Sequence, residues 1–393
     1  VSKHHHPILE YFFDASNEIG IKKNTNLTTS IENQVGHYNI NTYNGTRHSS
    51  SKVFLKPVLK NPRLTILDNT KVKNLIIKDK KITGIKIQNK SIEQIIHLSH
   101  GAILCSGSIM TPYLLMHSGI GDKEHLKQFD KEIIIDNSNV GRNLQDHLGL
   151  DYLFKTHHHS LNKSLGTWPG RITSVLKYIY NRKGPLSLSI NQSGGYVNWN
   201  SKHHYPNLQI YFNPLTYSIT HKNKRPLLKT DKFNGFIIGY NSCRPKSLGR
   251  VALNSPNFDD APVIDPNFLS HEEDIYDVKC AINFSKVLAN TNSIKKIRNE
   301  SVTHDLLNAT EEEMIDHFKS NAVSIYHPCG TCKMDEDPKK GVVSERLKVH
   351  GMENLWIADA SVFPNITSGN INAPVMMLAN LGSKFIIEDL NKI

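Results

Sequence analysis

Apolar positions near the start of the chain recur at helical spacing. Ile8, Leu9, Phe12 and Phe13 predict a helix over residues 7–20 that ends at Gly20. Residues 21–50 follow neither a helical nor an alternating period, and Gly36, Asn44-Gly45 and Ser49-Ser50-Ser51 mark them as irregular. Next come a predicted strand over 63–72, a hairpin from 75–77 and 82–87, and a buried strand over 101–105 that enters a helix over 108–118. Ser118-Gly119-Ile120-Gly121 closes that helix, because glycine supplies the backbone freedom of a sharp exit. A helix over 123–129, a strand over 132–136 and the loop 139–147 complete the first part.

Beyond residue 150 the pattern changes. Alternation over 208–212, 236–240 and 250–253 predicts an antiparallel sheet, accompanied by a helix over 172–181. A long helix over 271–289 follows Ser270, and a second over 311–320 has Thr310 as its cap. Buried-strand character returns at 355–357, and an apolar helix over 374–390 ends the chain. The implied organisation is one α/β domain made from residues 1–150 and 326–393, interrupted at 151–325 by an α+β domain built on an antiparallel sheet.

With 393 residues, 38% hydrophobic residues and a mean hydropathy of −0.40, the composition is that of a globular protein. No apolar run reaches the length of a membrane span. The net charge of +11 raises the question of polyanions, but the lysines are scattered and no basic helix stripe or aromatic-plus-basic platform stands out. The charge reads as a solvated surface, and no nucleic-acid partner is expected. Five widely spaced cysteines argue against a disulfide framework. Cys329 and Cys332 form a CxxC, but no second ligand pair accompanies it and no metal is expected. The chain opens Val1-Ser2-Lys3 with no visible targeting segment, and the expected location is the cytoplasm or the periphery of a membrane.

The chemistry-bearing motifs lie in four places. Gly107-Ser108, Thr111-Pro112, Leu114-Leu115 and Ser118-Gly119-Ile120-Gly121 form the first. Val140-Gly141-Arg142-Asn143-Leu144-Gln145-Asp146-His147 form the second, and Gly249-Arg250-Val251, Pro262 and Asn267-Phe268-Leu269-Ser270 the third. The fourth is Tyr326-His327-Pro328-Cys329-Gly330-Thr331-Cys332-Lys333-Met334, then Asp359-Ala360-Ser361, then Ser368-Gly369-Asn370-Ile371-Asn372-Ala373-Pro374. In order and spacing these resemble the glucose–methanol–choline (GMC) family of flavin-dependent oxidoreductases, in particular its choline-dehydrogenase-like members. The resemblance implies a Rossmann-like FAD-binding domain with an inserted substrate domain, and oxidation of an alcohol by hydride transfer to the flavin.

The same resemblance implies roles for particular residues. His327 matches the family's active-site histidine and is expected to act as base, a role suited to a group that titrates near neutrality. Asn370 matches the second active-site position, where an amide donates a hydrogen bond to the substrate oxygen. Val72, Asp359, Ala360, Asn372 and Pro374 match cofactor-binding positions. Gln192 matches a substrate position that is acidic in many choline-type relatives, so a neutral alcohol is expected in place of choline. No motif reports the electron acceptor.

The glycine turn with which the family opens its FAD site is absent from this sequence. The reading is that the first quarter to third of a full-length protein is missing and that this chain alone binds FAD poorly and is inactive. The alternative is a GMC-fold remnant or binding module without catalysis.

Overall fold

A computed structural model describes residues 5–27, 32–200, 202–220 and 227–391. The chain forms two compact units. The first comprises the segment ending at Leu59 together with Leu148–Cys243 and Ile275–Val323; the second comprises Lys60–His147, Arg244–Asp274 and Ser324–Ile393.

The first unit is built on a seven-stranded sheet. Its central strands, Ser193–Val197, Leu208–Asn213, Gly235–Ser242 and Leu148–Lys155, pair antiparallel with Gln209 opposite Asn241 and Asp151 opposite Gly239. Alternation sorts the two faces. One carries Ile210, Phe212, Phe236, Ile238, Tyr240 and Phe154, all buried. There the Leu9–Glu18 helix stacks Phe12 on Phe212 at 4.9 Å, and the Glu311–Asn321 helix stacks Phe318 on Tyr240 at 5.8 Å. The other face carries Gln209, Tyr211, Asn213, Asn241 and Asp151. Thr310 caps the Glu311–Asn321 helix in a reciprocal capping box with Glu313.

The second unit contains two parallel strands, Ala102–Leu104 and Leu355–Ile357, over 250 residues apart in sequence, and the buried helix Gly107–His117 that follows the first. A three-stranded antiparallel sheet, Thr70–Lys78, Lys81–Asn89 and Ile92–His97, lies in the same unit.

Several expectations are corrected. Residues 63–69 are turn and coil; the first strand of the hairpin sheet begins at Thr70 and continues through Val72 to Lys78. The strand Gly249–Ala252 pairs with Arg142–Leu144 and Val263–Asp265 in the second unit, outside the large sheet. The domain boundaries also differ. Residues 5–59 belong to the unit of the large sheet, because Gln34–His37 pairs with Ser193–Val197, and residues 244–274 belong to the second unit. Pairing of strands so distant in sequence leaves no local periodicity to read. His271, not Ser270, stands before the long helix, accepting from the Glu273 N–H through Nδ1 at 3.2 Å.

Candidate active site

His327 lies in a loop of the second unit. The residue before it, Tyr326, has a φ of 63°, and the residue after it is Pro328. The loop is clamped from two sides. Cys329 exchanges backbone hydrogen bonds with Gln145 at 2.9 and 3.0 Å, and Ser108 Oγ donates to the Pro328 carbonyl at 2.8 Å. Gly330 has φ +88°, and a Cβ there would lie 2.5 Å from the Asn143 carbonyl, so this turn requires glycine.

The clamp buries His327 to 8% exposure and satisfies both ring nitrogens. Nε2 lies 3.0 Å from Asn370 Nδ2, and Nδ1 lies 2.9 Å from Nδ1 of His147. With the Asn370 amide nitrogen donating, Nε2 is the acceptor and the His327 proton sits on Nδ1, where it is donated to His147. The His327 backbone N–H donates to Asp146 Oδ1 at 2.8 Å, and Ser324 Oγ donates to Asp146 Oδ2. From the sequence, the resemblance puts His147 and Asp146 in a loop near the cofactor and leaves a structural and a functional role equally open for them. Their sequence signal was the match of the 140–147 loop to the family pattern.

Burial lowers the pKa of His327 below the ordinary histidine value of 6.5. Burial also raises the Asp146 carboxyl, against the hydrogen bonds from Ser324, His327 and His147 that favour its charged form. His327 is therefore neutral at pH 7, as a base must be. Between its folded value and 6.5 the folded state binds fewer protons than the unfolded chain, so stability falls as pH drops below 6.5 and is unaffected by this group above it. Ring-nitrogen NMR, with His327→Gln assigning the resonance, should show titration below 6.5. A midpoint at or above that value contradicts the assignment.

The remaining matched positions surround the same loop in part. Asp359 and Ala360 follow the strand Leu355–Ile357, and Gly330 N donates to the Ala360 carbonyl at 3.1 Å. The buried Asp359 carboxylate accepts from Gly107 N at 2.8 Å, Thr111 Oγ1 at 2.7 Å and Ser361 N at 2.8 Å. Asn372 and Pro374 lie in the first turn of the Asn372–Leu390 helix, whose start has no side-chain cap. Val72 is half-buried on the outer strand of the three-stranded sheet, where the register shifts between Val72 and Asn74. The structure does not bring Val72 to His327. Gln192 belongs to the first unit; its Oε1 accepts from His6 N at 3.3 Å, and its buried Nε2 meets no partner among the described residues.

These groups fit one side of a flavin nucleotide: an uncapped helix start, backbone at the carboxyl ends of parallel strands, and an open strand edge. They do not supply its pyrophosphate cradle. Among the described residues of this unit, the turn Cys105-Ser106-Gly107 leads from a parallel strand into a helix, and the Asp359 carboxylate already fills it. Cys329 and Cys332 are buried thiols, not a redox pair. Burial pushes Cys329 up to about 12 and Cys332 well above the usual thiol range.

Known proteins resemble this chain in sequence and in fold. Sequence models of the GMC oxidoreductase family match residues 1–149 and 245–379. The alcohol dehydrogenase [acceptor] of Pseudomonas putida is 31% identical over 388 residues, covering 98% of this chain and 69% of that protein. The oxygen-dependent choline dehydrogenase of Cronobacter sakazakii is 29% identical over 340 residues, covering 86% of this chain and 59% of that protein. Among solved structures, a formate oxidase matches with a TM-score of 0.88 at 25% identity, covering 98% of this chain and 71% of that one. An FAD-dependent oxidoreductase from Chaetomium thermophilum matches with a TM-score of 0.85 at 18% identity, covering 99% and 72%. The fold is the GMC FAD-binding fold, with a Rossmann-like domain and a substrate-binding domain. The chain spans about seven-tenths of the length of most of the curated relatives it matches, and it belongs to the GMC oxidoreductase family, whose enzymes oxidise alcohols with FAD.

Proposed function

We propose that His327 is the general base and Asn370 the oxyanion donor for oxidation of an alcohol CH–OH to the carbonyl. The observation that carries this is the 3.0 Å contact between His327 Nε2 and the Asn370 amide, on a histidine held neutral by burial. FAD, when bound, supplies the hydride acceptor. A substrate hydroxyl entering between the two side chains takes over both ends of that contact. His327 Nε2 accepts the hydroxyl proton, while the Asn370 N–H donates to the oxygen as negative charge develops. His147 holds the Nδ1–H and so stabilises the imidazolium that forms. Val72, Asp359, Ala360, Asn372 and Pro374 are the cofactor-binding positions. Asp359 serves through its backbone, since its carboxylate is fully engaged.

Gln192 is proposed as a substrate-facing residue, and its neutral amide favours a neutral alcohol. Substitution Gln192→Glu is expected to improve kcat/KM for choline relative to a primary alkanol by about tenfold, through charge pairing with the ammonium. An unchanged ratio removes Gln192 from the substrate site. One observation supports a second reading, an alcohol that carries a hydrogen-bond donor or cation. Asp151, on the polar face of the large sheet, meets only the Tyr217 hydroxyl among the described residues, at 3.4 Å, and burial pushes it up to about 6. Loss of activity on amino alcohols alone in Asp151→Asn would favour that reading.

The test of the whole proposal is the visible spectrum of the purified chain with added FAD. A flavin band that bleaches on adding a primary alcohol under anaerobic conditions supports it. Because the turn at Gly107 is filled, FAD is expected to be lost on gel filtration; stoichiometric retention would contradict that expectation. No described helix is long and apolar enough to cross a membrane. The location we propose is the periphery of a membrane, with the cytoplasm as the alternative.

A further inference from the structure

The helix Trp168–Asn181 is packed with its apolar side outward. Gly170 and Ser174, four residues apart, form its inner face. A Cβ on Gly170 would lie 2.5 Å from the Lys163 carbonyl, and buried Ser174 donates to the Ser164 carbonyl at 3.4 Å. The opposite side carries Trp168, Ile172, Leu176, Ile179 and Tyr180, which are between 55% and 91% exposed. An ordinary surface helix turns such a stripe toward the core.

A hairpin lies against the end of this helix, and an exposed apolar segment follows it in sequence. The Thr42–Arg47 hairpin touches the helix end at Gly45, where a Cβ would sit 2.3 Å from the Arg182 carbonyl. The chain beyond that hairpin exposes Val53, Phe54, Val58 and Leu59. Charge in both segments has one sign. Residues 41–59 contain Arg47, Lys52 and Lys56, and residues 160–191 contain Lys163, Arg171, Lys177, Arg182 and Lys183; neither contains an Asp or Glu. The two segments that expose apolar side chains thus carry basic residues and no acidic one.

We propose that this face of the first unit docks on an anionic lipid bilayer. The helix, about 21 Å long, lies in the plane of the interface with Ile172, Leu176 and Ile179 inserted among the acyl chains. Trp168 and Tyr180 sit at headgroup level, and the flanking cations meet lipid phosphates. Charge complementarity selects this occupant. A second copy of the chain meeting this face with its own would set like charge against like charge, and an apolar protein partner would leave these cations unpaired.

The test is co-sedimentation of the whole chain with phosphatidylcholine vesicles with and without about 30% phosphatidylglycerol. The expected result is binding to the anionic vesicles that is at least about tenfold stronger than to neutral ones and weakens with salt. The variant Ile172→Glu/Leu176→Glu/Ile179→Glu, altering only exposed positions, should lower it by a further tenfold or more, with an unchanged circular dichroism spectrum. A second variant, Lys177→Glu/Lys183→Glu, should reduce anionic binding and leave neutral binding alone. Binding that is absent, or indifferent to both variants, overturns the proposal. So does a vesicle-free dimer, seen by analytical ultracentrifugation, that the triple variant dissolves, because the face is then a self-association surface. None of these readouts depends on flavin or on alcohol oxidation.

Discussion

Replacement of His327 by Gln is expected to slow alcohol-dependent flavin reduction by about 10²–10⁴-fold at saturating FAD. Gln preserves a polar group of similar reach but cannot accept and hold a proton. The measurement is anaerobic stopped-flow loss of the flavin band on mixing with a primary alcohol. Stability should change little, since His327 is held by its backbone bond to Asp146 and by the Cys329–Gln145 exchange, which the substitution leaves in place. A rate within tenfold of the parent would remove His327 from the role of base. A lost rate with a lowered melting temperature would show instead that the loop had come apart.

The largest expected effect on stability is at Asp359. Its carboxylate is the shared acceptor for Gly107 N, Thr111 Oγ1 and Ser361 N, and it is 6% exposed. Asp359→Ala strands three donors, of which those of Thr111 and Ser361 are buried, each at a cost of about 1–3 kcal/mol. Some relaxation and water entry reduce the sum, and the expected loss is about 3–5 kcal/mol. Denaturant unfolding followed by tryptophan fluorescence, to which Trp356, buried on the neighbouring strand of the same unit, contributes, reads it. A loss below about 1 kcal/mol would mean that water replaces the carboxylate. The turn at Gly107 would then be open to an anionic ligand, and FAD retention should improve.

Much of the candidate site was legible because many of its residues are consecutive. The run from Tyr326 to Met334 carries the histidine, the proline after it and the glycine of its tight turn in one stretch, so the resemblance placed His327 without any knowledge of packing. Asn370 was placed in the same way. The sequence could not show that His147 is the group against which His327 sets its tautomer, since 180 residues separate them. Nor could it show that Asp359 spends its carboxylate within the protein. Whether a carboxylate faces a ligand or a buried backbone N–H depends on which strand ends lie side by side.

The fold divides on the same physical line. Helices with local caps, such as Glu311–Asn321 behind Thr310, and strands with a clear period, such as Leu208–Asn213, follow from neighbouring residues alone. Membership of a sheet does not. Gln34–His37 is short and glycine-containing, and is a strand because Ser193–Val197 offers it partners; Gly249–Ala252 alternates like a strand of the large sheet but pairs elsewhere. The Trp168–Asn181 helix shows the division most directly. Its amphipathic period is written in the sequence, and the period predicts a helix. Which side faces the protein was settled by Gly170 and Ser174 fitting closely against the Lys163 and Ser164 carbonyls, and that contact left the apolar side exposed. Local order comes from short-range periodicity and capping, whereas the direction in which each face points is decided by long-range packing.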